Sequence, residues 1–309
     1  SLVTGGYGMI GTQLAKELAK KEEVVILDFD PRPPDKFKDF NIRVKKGDVS
    51  NISHIINVLK EYHPRRIFHL ASMLSLPSES DPWSALNVNA KGVYNILEAS
   101  RIIKTPQVIF SSSRLASSCP EVQDKITDFS LQRPRTIYGI SKVFGELLGR
   151  YYGKFGLDFR GVRFSTVIGP GVKSMGVTRC FPLAIEAAVK GEEFNLWVED
   201  ETKVSLLYYK DAVNALINLS DALQSNIRTE VYNVVGVEPL ITAKEFVQRL
   251  TKRYPDARIS IKPDYDILKT RGKMVEIDDS KAKGEWGWSP TFDLEQIFED
   301  FEKEMGSNE

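Results

Sequence analysis

The sequence predicts an α/β fold, in which a doubly wound parallel sheet is joined by a smaller α/β lobe towards the C-terminus. Two observations support this prediction. Short apolar runs alternate with helical patterns through the first half of the chain, which is typical of a parallel sheet covered by helices on both faces. After Gly169 this rhythm gives way to loops marked by proline and glycine. The chain has 309 residues, enough for a core of this size.

The elements of the first half follow one another in strict alternation. The predicted strands cover Leu2–Val3, Val24–Asp30, Arg66–Ser72, Gln107–Ser113 and Asp158–Gly169. The predicted helices cover Gln13–Lys20, Ile52–Tyr62, Asn89–Ile102 and Gly139–Gly156. This order is that of a doubly wound sheet, in which ligands bind at the carboxyl ends of the strands.

The second half contains shorter elements and one predicted return to the main sheet. We predict helices over Leu183–Lys190, Asp211–Leu223 and Thr242–Tyr254, and strands near Phe194–Trp197, Val204–Tyr208 and Val231–Gly236. Thr242 and Glu245 form the pattern of a capping box. We therefore expect a main domain of residues 1–168, to which 204–236 return, and a smaller lobe of residues 169–203 and 237–309.

Composition excludes several classes of function. Lys+Arg and Asp+Glu both number 42, so no net charge attracts nucleic acid or an anionic membrane surface. No apolar run reaches the length of a membrane span. Three scattered histidines and two cysteines, Cys119 and Cys180, lack the spacing of a metal site or a disulfide framework. We expect a cytoplasmic protein that binds no metal, nucleic acid or membrane.

The segment "VTGGYGMIG" links the first strand to the first helix. Gly5, Gly8 and Gly11 in this context let the backbone turn tightly, and let a diphosphate reach the free N–H groups of the helix N-terminus. Asp28 ends the next strand, where a carboxylate binds ribose hydroxyls and repels a 2′-phosphate. The pattern predicts a Rossmann domain that binds NAD rather than NADP, although Arg32 lies close enough to serve a phosphate.

Polar residues end several of the predicted strands. They are Asp28, Asp48, Ser72, Ser111–Ser113 and Thr166. Three serines in a row are compatible with a solvated loop, and Asn89 is compatible with a simple N-cap. Tyr138 and Lys142 lie four residues apart in "TIYGISKVFGE", a spacing that also arises in ordinary amphipathic helices.

Together these motifs resemble the extended short-chain dehydrogenase/reductases, the NAD-dependent epimerase/dehydratase group. The similar segments are "TGGYGMIG", "GDVSN", "FHLAS", "NAKGVYNILEAS", "VIFSSS", "YGISK" and "EWGWSPTFDLEQ". Within the group, the segment from Arg133 to Phe164 looks most like the L-threonine 3-dehydrogenase branch.

The resemblance implies roles for individual residues. Tyr138 would be the catalytic acid/base, Lys142 would lower the pKa of Tyr138 and hold the nicotinamide ribose, and Ser113 would orient the substrate hydroxyl. Tyr138 and Lys142 would also contact NAD. The other residues that would line the cofactor are Gly5, Gly8, Met9, Ile10, Gly11, Asp28, Asp48, Val49, Leu70, Ala71, Ser72, Asn89, Ser111 and Thr166.

The sequence departs from the threonine dehydrogenases around the expected substrate pocket. Arg114 follows the catalytic serine, Arg179 follows Thr178 in "MGVTRC", and Arg271 stands where that branch carries a tryptophan. Guanidinium groups bind carboxylate or phosphate in a bidentate manner, so these three arginines, with Ser75 and Thr178, are candidates for binding an anionic substrate. Alternatively, the three arginines lie on the surface.

We therefore expect an oxidoreductase that transfers a hydride between NAD and a hydroxyl or keto group of a small anionic substrate, such as L-threonine or a similar 3-hydroxy acid. The alternatives are a nucleotide-sugar 4-epimerase, which Arg271 favours, and a non-enzymatic NAD sensor. A sugar 4,6-dehydratase is disfavoured, because no acid follows Ser113. The family also implies a homodimer through the helices Asn89–Ile102 and Tyr138–Tyr152, with Val143, Leu147, Leu148 and Tyr151 supplying apolar surface.

Overall fold

The computed structural model describes residues 1–30, 35–117, 125–171, 177–268 and 276–306. The strands are β1 (Leu2–Thr4), β2 (Val24–Asp28), β3 (Ile42–Lys46), β4 (Arg66–His69), β5 (Gln107–Ser113), β6 (Lys125–Ile126), β7 (Asp158–Phe164), β8 (Thr166–Ile168), β9 (Glu193–Leu196), β10 (Lys203–Val204), β11 (Leu206–Tyr208), β12 (Val231–Val234), β13 (Ile241–Thr242), β14 (Arg258–Ile261) and β15 (Glu276–Ile277).

The α-helices are α1 (Met9–Ala19), α2 (Ile52–Tyr62), α3 (Ser75–Ser80), α4 (Pro82–Ala85), α5 (Gly92–Ile103), α6 (Ile137–Gly153), α7 (Cys180–Val189), α8 (Tyr209–Asp221), α9 (Ala243–Arg253), α10 (Tyr265–Leu268), α11 (Ser280–Trp286) and α12 (Leu294–Gly306). A π-helix (Leu86–Lys91) joins α4 to α5. Short 3₁₀ helices cover Asp35–Phe37, Arg114–Ser117, Val177–Arg179 and Gln224–Asn226.

A parallel sheet forms the centre of the molecule. Its described strands have the order β12-β7-β5-β4-β1-β2-β3, and every neighbouring pair is parallel. The chain starts at β1 and moves outward in both directions, so the doubly wound fold predicted from the sequence is confirmed. The order reverses between β1 and β4, and the crevice outside their carboxyl ends is where this fold binds ligands.

Both faces of the sheet are buried, which explains its continuous apolar strands. Every residue of β1 and β2 is buried. Val3 and Ile26 pack on one face with α1 and α8, while Leu2 and Val25 pack on the other with α2 and α5. Alternate side chains of a strand point to opposite faces, so burial on both sides requires apolar residues throughout.

The second half builds a separate apolar cluster. Phe181 of α7, Phe246 of α9 and Phe298 of α12 meet with ring centroids 5.0 and 5.7 Å apart, within the range that favours edge-to-face packing. The predicted capping box of α9 is confirmed: the Thr242 side chain accepts from the Glu245 N–H, and the Glu245 carboxylate accepts from the Thr242 N–H. The strands β9 and β14 pair in parallel beside this cluster.

Three local predictions were wrong in detail. The single strand expected over Asp158–Gly169 is two strands, because the chain changes partners at Ser165: β7 pairs with β12 and β8 pairs with β11. The strand expected over Val204–Tyr208 is likewise split between β10 and β11. The first helix begins at Met9, directly after the glycine loop, rather than at Gln13.

The strand predicted over Val231–Gly236 joins the main sheet as β12, whereas β10 and β11, which lie in or overlap the same predicted return, pair outside it. β12 adds to the edge of β7 in parallel, with Val231 opposite Gly161 and Val234 opposite Phe164. Further along the chain, Ala282 and Trp288 pack in the same cluster as Tyr232 of β12. The main sheet is thus completed by residues far from it in sequence, whereas its ligand-binding edge is built by the first half.

Candidate active site

The glycine loop lies at the carboxyl end of β1 and needs glycine at two positions for internal packing. Gly5 has a φ of +71°, and a Cβ there would lie 2.7 Å from the backbone nitrogen of Ala71. A Cβ on Gly11 would lie 2.3 Å from the Gly5 carbonyl oxygen. These contacts let the loop, the start of α1 and the end of β4 approach closely.

Gly8 differs from the other two glycines. It is the N-cap of α1, with φ −65° and ψ 163°, which any residue can adopt. Apart from its chain neighbours, and among the residues that the structure describes, the heavy atom that a Cβ at Gly8 would meet within 4 Å is the Gly5 carbonyl oxygen, at 3.4 Å. The backbone at Gly8 therefore faces space that a ligand can approach, in front of the N–H groups of the first helical turn. This open cradle at a helix N-terminus fits a diphosphate.

Asp28 is fixed beside this loop. It is buried at the end of β2, and its Oδ2 accepts the Tyr7 N–H at 3.1 Å. The backbone N–H of Asp30 lies 3.4 Å from Oδ1. The carboxylate thus stands at the edge of the crevice, next to the glycine loop, as a ribose-binding acid should.

Asn89 is not the N-cap of a helix. It lies within the π-helix, is buried, and its Oδ1 accepts the Met73 N–H at 2.8 Å and the Ser72 hydroxyl at 3.2 Å. Its amide donates to the Met73 carbonyl at 3.0 Å. Asn89 therefore fixes the segment after β4, where Leu70, Ala71 and Ser72 lie half-buried.

The other predicted cofactor residues are more scattered. Asp48 is exposed and caps its own turn by accepting the Ser50 N–H at 2.8 Å. Val49 is buried in the hydrophobic cluster under α2 and α5. Thr166 is buried at the start of β8, and a Cβ at Gly169, one residue after that strand, would lie 2.7 Å from the Met9 sulfur. The start of α1 thus abuts the turn that follows β8.

Ser113, Tyr138 and Lys142 meet where β5 ends against α6. Thr136 caps α6 by accepting the Gly139 N–H at 3.1 Å, which fixes the first turn with Tyr138. The Ser113 hydroxyl lies close enough to Tyr138 to lower the pKa of the tyrosine. The Lys142 Nζ donates to the Ser111 carbonyl at 2.8 Å and lies 5.2 Å from the centroid of the Tyr138 ring. The i, i+4 spacing places both side chains on the helix face turned to the strand.

Burial controls the protonation of this group. It raises the pKa of Tyr138 to about 12, and the hydrogen bond from Ser113 offsets part of this effect. It lowers the pKa of Lys142 to about 7, against the opposing attraction of Glu146. Burial is thus the main influence on the pKa of Tyr138, because it desolvates the phenolate. The expectation that Lys142 lowers this pKa stays a prediction.

Sequence reasoning missed His69 at this site. It ends β4, its Nδ1 lies 2.8 Å from the Thr4 hydroxyl, and its ring stacks on Phe110 with centroids 6.0 Å apart. Burial, followed by the positive charge of Lys142, lowers its pKa to about 3, so the imidazole stays neutral. A polar residue in an otherwise apolar strand was the available signal.

Sequence reasoning also missed Glu146 and Arg163. They form a buried ion pair beside Lys142, with 2.6 Å between Arg163 Nη2 and Glu146 Oε2. The signal in the sequence was the series Tyr138, Lys142 and Glu146, which places a carboxylate on the buried face of α6 at the next i+4 position.

The candidate substrate residues are placed only in part. Arg114 is half-buried and opens the 3₁₀ helix that directly follows Ser113. Thr178 and Arg179 are half-buried at the entry to α7, and Ser75 is half-buried at the start of α3. Arg271 lies outside the described residues, as do Arg32 and Cys119. Arg114 is thus the residue next to Ser113 in the chain, at the carboxyl end of β5.

The described residues hold neither a candidate metal site nor a helix suited to cross a membrane. Among the residues that the structure describes, no cluster of three or more His, Cys, Asp or Glu side chains is arranged to hold a metal ion. Within the same part of the chain, no helix combines the length and the apolar character needed to cross a membrane.

Comparison with known proteins identifies the family. Residues 1–235 match the model of the NAD dependent epimerase/dehydratase family. Mitochondrial L-threonine 3-dehydrogenase of Bos taurus is 28% identical over 307 residues, which cover 96% of this chain and 80% of that one.

Two solved structures are similar over nearly their whole length. L-threonine dehydrogenase of Phytophthora infestans is 30% identical with a TM-score of 0.89, covering 100% of this chain and 99% of that one. A monomeric L-threonine 3-dehydrogenase of metagenomic origin is 27% identical with a TM-score of 0.87 and the same coverage. The chain therefore belongs to the NAD dependent epimerase/dehydratase family, in its threonine dehydrogenase branch, and is an NAD-dependent dehydrogenase or epimerase.

Proposed function

We propose that this protein is an NAD-dependent dehydrogenase that oxidises the hydroxyl group of a small 3-hydroxy acid, with L-threonine as the leading candidate. The observation that carries the proposal is the meeting of Ser113, Tyr138 and Lys142 at the carboxyl edge of the sheet. The similarity to threonine dehydrogenases over nearly the whole chain supports the substrate class.

We assign the binding of NAD to the glycine loop and the strand ends beside it. The N–H groups at the start of α1 would hold the diphosphate, since the backbone at Gly8 is open to approach. Asp28 would accept hydrogen bonds from the adenosine ribose. Ala71, Ser72 and Thr166 would line the path between the ribose and the catalytic residues. When bound, NAD supplies the ring carbon that accepts the hydride and, in its oxidised form, a positive charge.

The protein's own residues would handle the proton. Ser113 orients the substrate hydroxyl, and the Tyr138 oxygen takes its proton as the C–H hydrogen leaves with both bonding electrons. Because burial holds the pKa of Tyr138 at about 12, the phenolate forms only when positive charge lies near it. Protonated Lys142, whose Nζ lies 5.2 Å from the centroid of the tyrosine ring, supplies such a charge.

We also propose how the chain divides into an NAD-binding domain and a substrate-binding lobe. Residues 1–168 and 204–236 would form the NAD-binding domain, and residues 169–203 and 237–309 the substrate lobe. Arg114, Arg179 and Arg271, with Ser75 and Thr178, are our candidates for binding the substrate, and a guanidinium group would bind its carboxylate. The low cysteine count further supports a location in the reducing cytoplasm.

The decisive experiment is a substrate screen. Purified protein is mixed with NAD and L-threonine, L-serine or other 3-hydroxy acids, and NADH is followed by its absorbance. Oxidation of L-threonine is expected. If no 3-hydroxy acid yields NADH, the proposal is wrong.

The same three catalytic side chains would serve a nucleotide-sugar 4-epimerase, so the screen includes that outcome. Protein is denatured after purification and the supernatant is assayed for NAD(H), and native protein is incubated with UDP-glucose. Retained NAD(H) together with formation of UDP-galactose would assign the epimerase instead. A dehydrogenase is expected to show neither.

We further propose a homodimer formed through α5 and α6. The outer face of α6 carries Ile140, Phe144, Leu147 and Tyr151, all exposed at helical spacing, and α5 exposes Tyr94 and Ile102. Of the residues predicted for this contact, Leu147 and Tyr151 are exposed, while Val143 and Leu148 are half-buried. Sedimentation at micromolar concentration should give twice the mass of the chain. A single-chain mass would place this protein with its monomeric relative.

A further inference from the structure

A buried carboxylate lies one helical turn beyond Lys142. Glu146 is 5% exposed and accepts hydrogen bonds from four donor atoms of three side chains. The Arg163 guanidinium donates from Nε at 2.9 Å and from Nη2 at 2.6 Å. The Gln132 amide donates at 2.6 Å, and the Ser112 hydroxyl donates to the same carboxylate. A charge buried in this way is anchored from several directions.

These contacts link α6 to β5 at consecutive positions of the strand. The Ser111 carbonyl accepts from Lys142, and the Ser112 hydroxyl donates to Glu146. The next serine, Ser113, lies close enough to Tyr138 to lower its pKa. Three neighbouring serines thus face residues at positions i, i+4 and i+8 of the helix. A movement of Glu146 relative to Ser112 would disturb both flanking contacts, which belong to the catalytic set.

Arg163 extends the anchor to two further segments. It is 5% exposed on β7, and its Nη1 donates to the Asp128 carbonyl at 2.8 Å while its other nitrogens bind Glu146. Asp128 and Gln132 belong to the segment that leads from β6 into α6. The pair therefore holds the strand, the helix and the approach to the helix together beside Tyr138.

We propose that Glu146 and Arg163 form a positioning pair that sets the placement and the charge of Lys142 for the reaction. This inference rests on the proposed function, because it concerns the same catalytic set. A buried ion pair contributes little net stability compared with apolar residues of similar volume. Stability alone therefore does not explain why a carboxylate and a guanidinium are buried next to the active site.

The titratable and charged groups around Lys142 determine in which direction the loss of the Glu146 charge shifts the pKa of Lys142. His69 of β4 and Tyr138 of α6 face it and are neutral near pH 7, because burial holds their pKa values at about 3 and about 12. Glu146 of α6 is the carboxylate that raises the pKa of Lys142 against burial, and Arg163 of β7 lies behind it. Without the Glu146 charge, Lys142 loses its proton at lower pH.

The first test is the pH profile of the Glu146→Gln variant. We expect kcat/KM to fall about tenfold at pH 7 and its alkaline limb to move down by about one unit, because the ammonium is lost earlier. The matched control is Asp158→Asn, which removes the carboxylate from the Arg160 pair at the other end of β7. Its alkaline limb should stay in place. A Glu146→Gln profile that is lowered equally at every pH would overturn the proposal.

The second test is chemical rescue. A cavity of about 270 Å³ is lined by Glu146, Arg163 and Gln132 among others, so an Arg163→Ala variant leaves room for guanidinium ion beside the carboxylate. Millimolar guanidinium should restore several-fold activity to Arg163→Ala and none to Arg160→Ala. If Arg163→Ala does not fold, Arg163→Lys replaces it and should keep the normal alkaline limb at reduced kcat. Equal behaviour of the two arginine positions would contradict the proposal.

A third measurement separates this inference from the proposed function. The pKa of Lys142 is followed by NMR in protein labelled at lysine Cε, without cofactor or substrate, with Lys142→Met used to assign the signal. Glu146→Gln should lower that pKa and Asp158→Asn should not. If the wild type oxidises no hydroxy acid but this shift is present, the proposed substrate fails and the positioning pair stands. If the shift is absent, the pair fails whatever the activity.

Discussion

The parallel strands of the central sheet all begin at one end, here called the amino edge, and all finish at the other, the carboxyl edge. Both edges carry networks of charged side chains, but the networks differ in kind. At the amino edge, Arg66 binds Glu22 at 2.8 Å and also contacts Asp221. Arg160 binds Asp158 through two nitrogens and donates to the carbonyls at the end of α8. These contacts fasten β4, β7 and α8 to one another. At the carboxyl edge, charged groups instead surround Tyr138 and Lys142.

The difference is visible in the direction of the pKa shifts. Burial alone would raise the pKa of Glu22, but hydrogen bonds from Arg66 and Ser1 lower it overall, so its charge is stabilised. At the carboxyl edge burial is the dominant cause, and it favours the neutral forms of Tyr138, Lys142 and His69. Of the three groups, Lys142 is the one whose pKa, at about 7, lies close to a change of protonation state at neutral pH, which suits proton transfer, whereas fully paired charges suit structure.

The largest effect that tests this comparison is expected from Tyr138→Phe. Removing the hydroxyl takes away the proton acceptor while leaving the ring in its buried position, so kcat should fall by about 10²- to 10⁴-fold. The midpoint of thermal unfolding should change little, and NADH should still bind. Single-turnover kinetics and NADH fluorescence measure the two properties. Unchanged turnover would remove Tyr138 from the chemistry.

A variant at the opposite edge should show the reverse pattern. Arg160 is 2% exposed, so Arg160→Ala leaves Asp158 without its ion-pair partner and should lower the free energy of unfolding by about 3 kcal/mol. Turnover per folded molecule should stay near the wild-type value, because the active site lies at the far end of β7. Urea denaturation and active-site titration with NADH provide the two measurements. A loss of kcat without loss of stability would show that the edges are not separate.

The sequence revealed the short-range motifs of the carboxyl edge far better than the contacts between distant elements that surround them. The glycine loop and the Tyr138–Lys142 spacing are short-range patterns, and each maps onto one structural element. The pair of Glu146 and Arg163 joins residues of α6 and β7 across a contact that no local period encodes. Asn89 was similarly ambiguous, because its contacts with Ser72 and Met73 depend on how the π-helix packs. The change of partner at Ser165 depends on two strands that come later in the chain.

A smaller effect is expected from Gly8→Ala, which tests the open part of the cradle. The backbone at Gly8 accepts alanine without strain, and within the described part of the chain the added methyl group would meet the Gly5 carbonyl oxygen at 3.4 Å and no other atom beyond its chain neighbours. Stability should therefore be unchanged, while the Kd for NADH should rise about tenfold as the diphosphate is pushed away. The comparison variant Gly11→Ala should lose stability as well, because its methyl group would lie 2.3 Å from the Gly5 carbonyl oxygen. NADH binding as tight in Gly8→Ala as in the wild type would move the diphosphate elsewhere.

The smallest effect is a pH dependence of stability that should have opposite signs at the two edges. Burial raises the pKa of Asp128, near the carboxyl edge, to about 6. The folded state therefore binds the proton more tightly than the unfolded state, and stability falls as the pH rises from about 4 to about 6. Asp128→Asn lacks this fall and should be about 1 kcal/mol more stable than the wild type above pH 7.

Glu22, at the amino edge, has a lowered pKa, so its contribution is present at neutral pH and is lost on acidification. Glu22→Gln should therefore be less stable than the wild type at pH 7 and converge with it in acid. Urea denaturation between pH 4 and 8 measures both variants. The two variants could instead change the free energy of unfolding at neutral pH in the same direction. Burial without stabilising hydrogen bonds would then not distinguish the carboxyl edge from the amino edge. Opposite signs would instead follow from a single cause. The half-buried carboxylate of Glu22 meets a cation and a hydroxyl donor, whereas desolvation is the main influence on the buried carboxylate of Asp128.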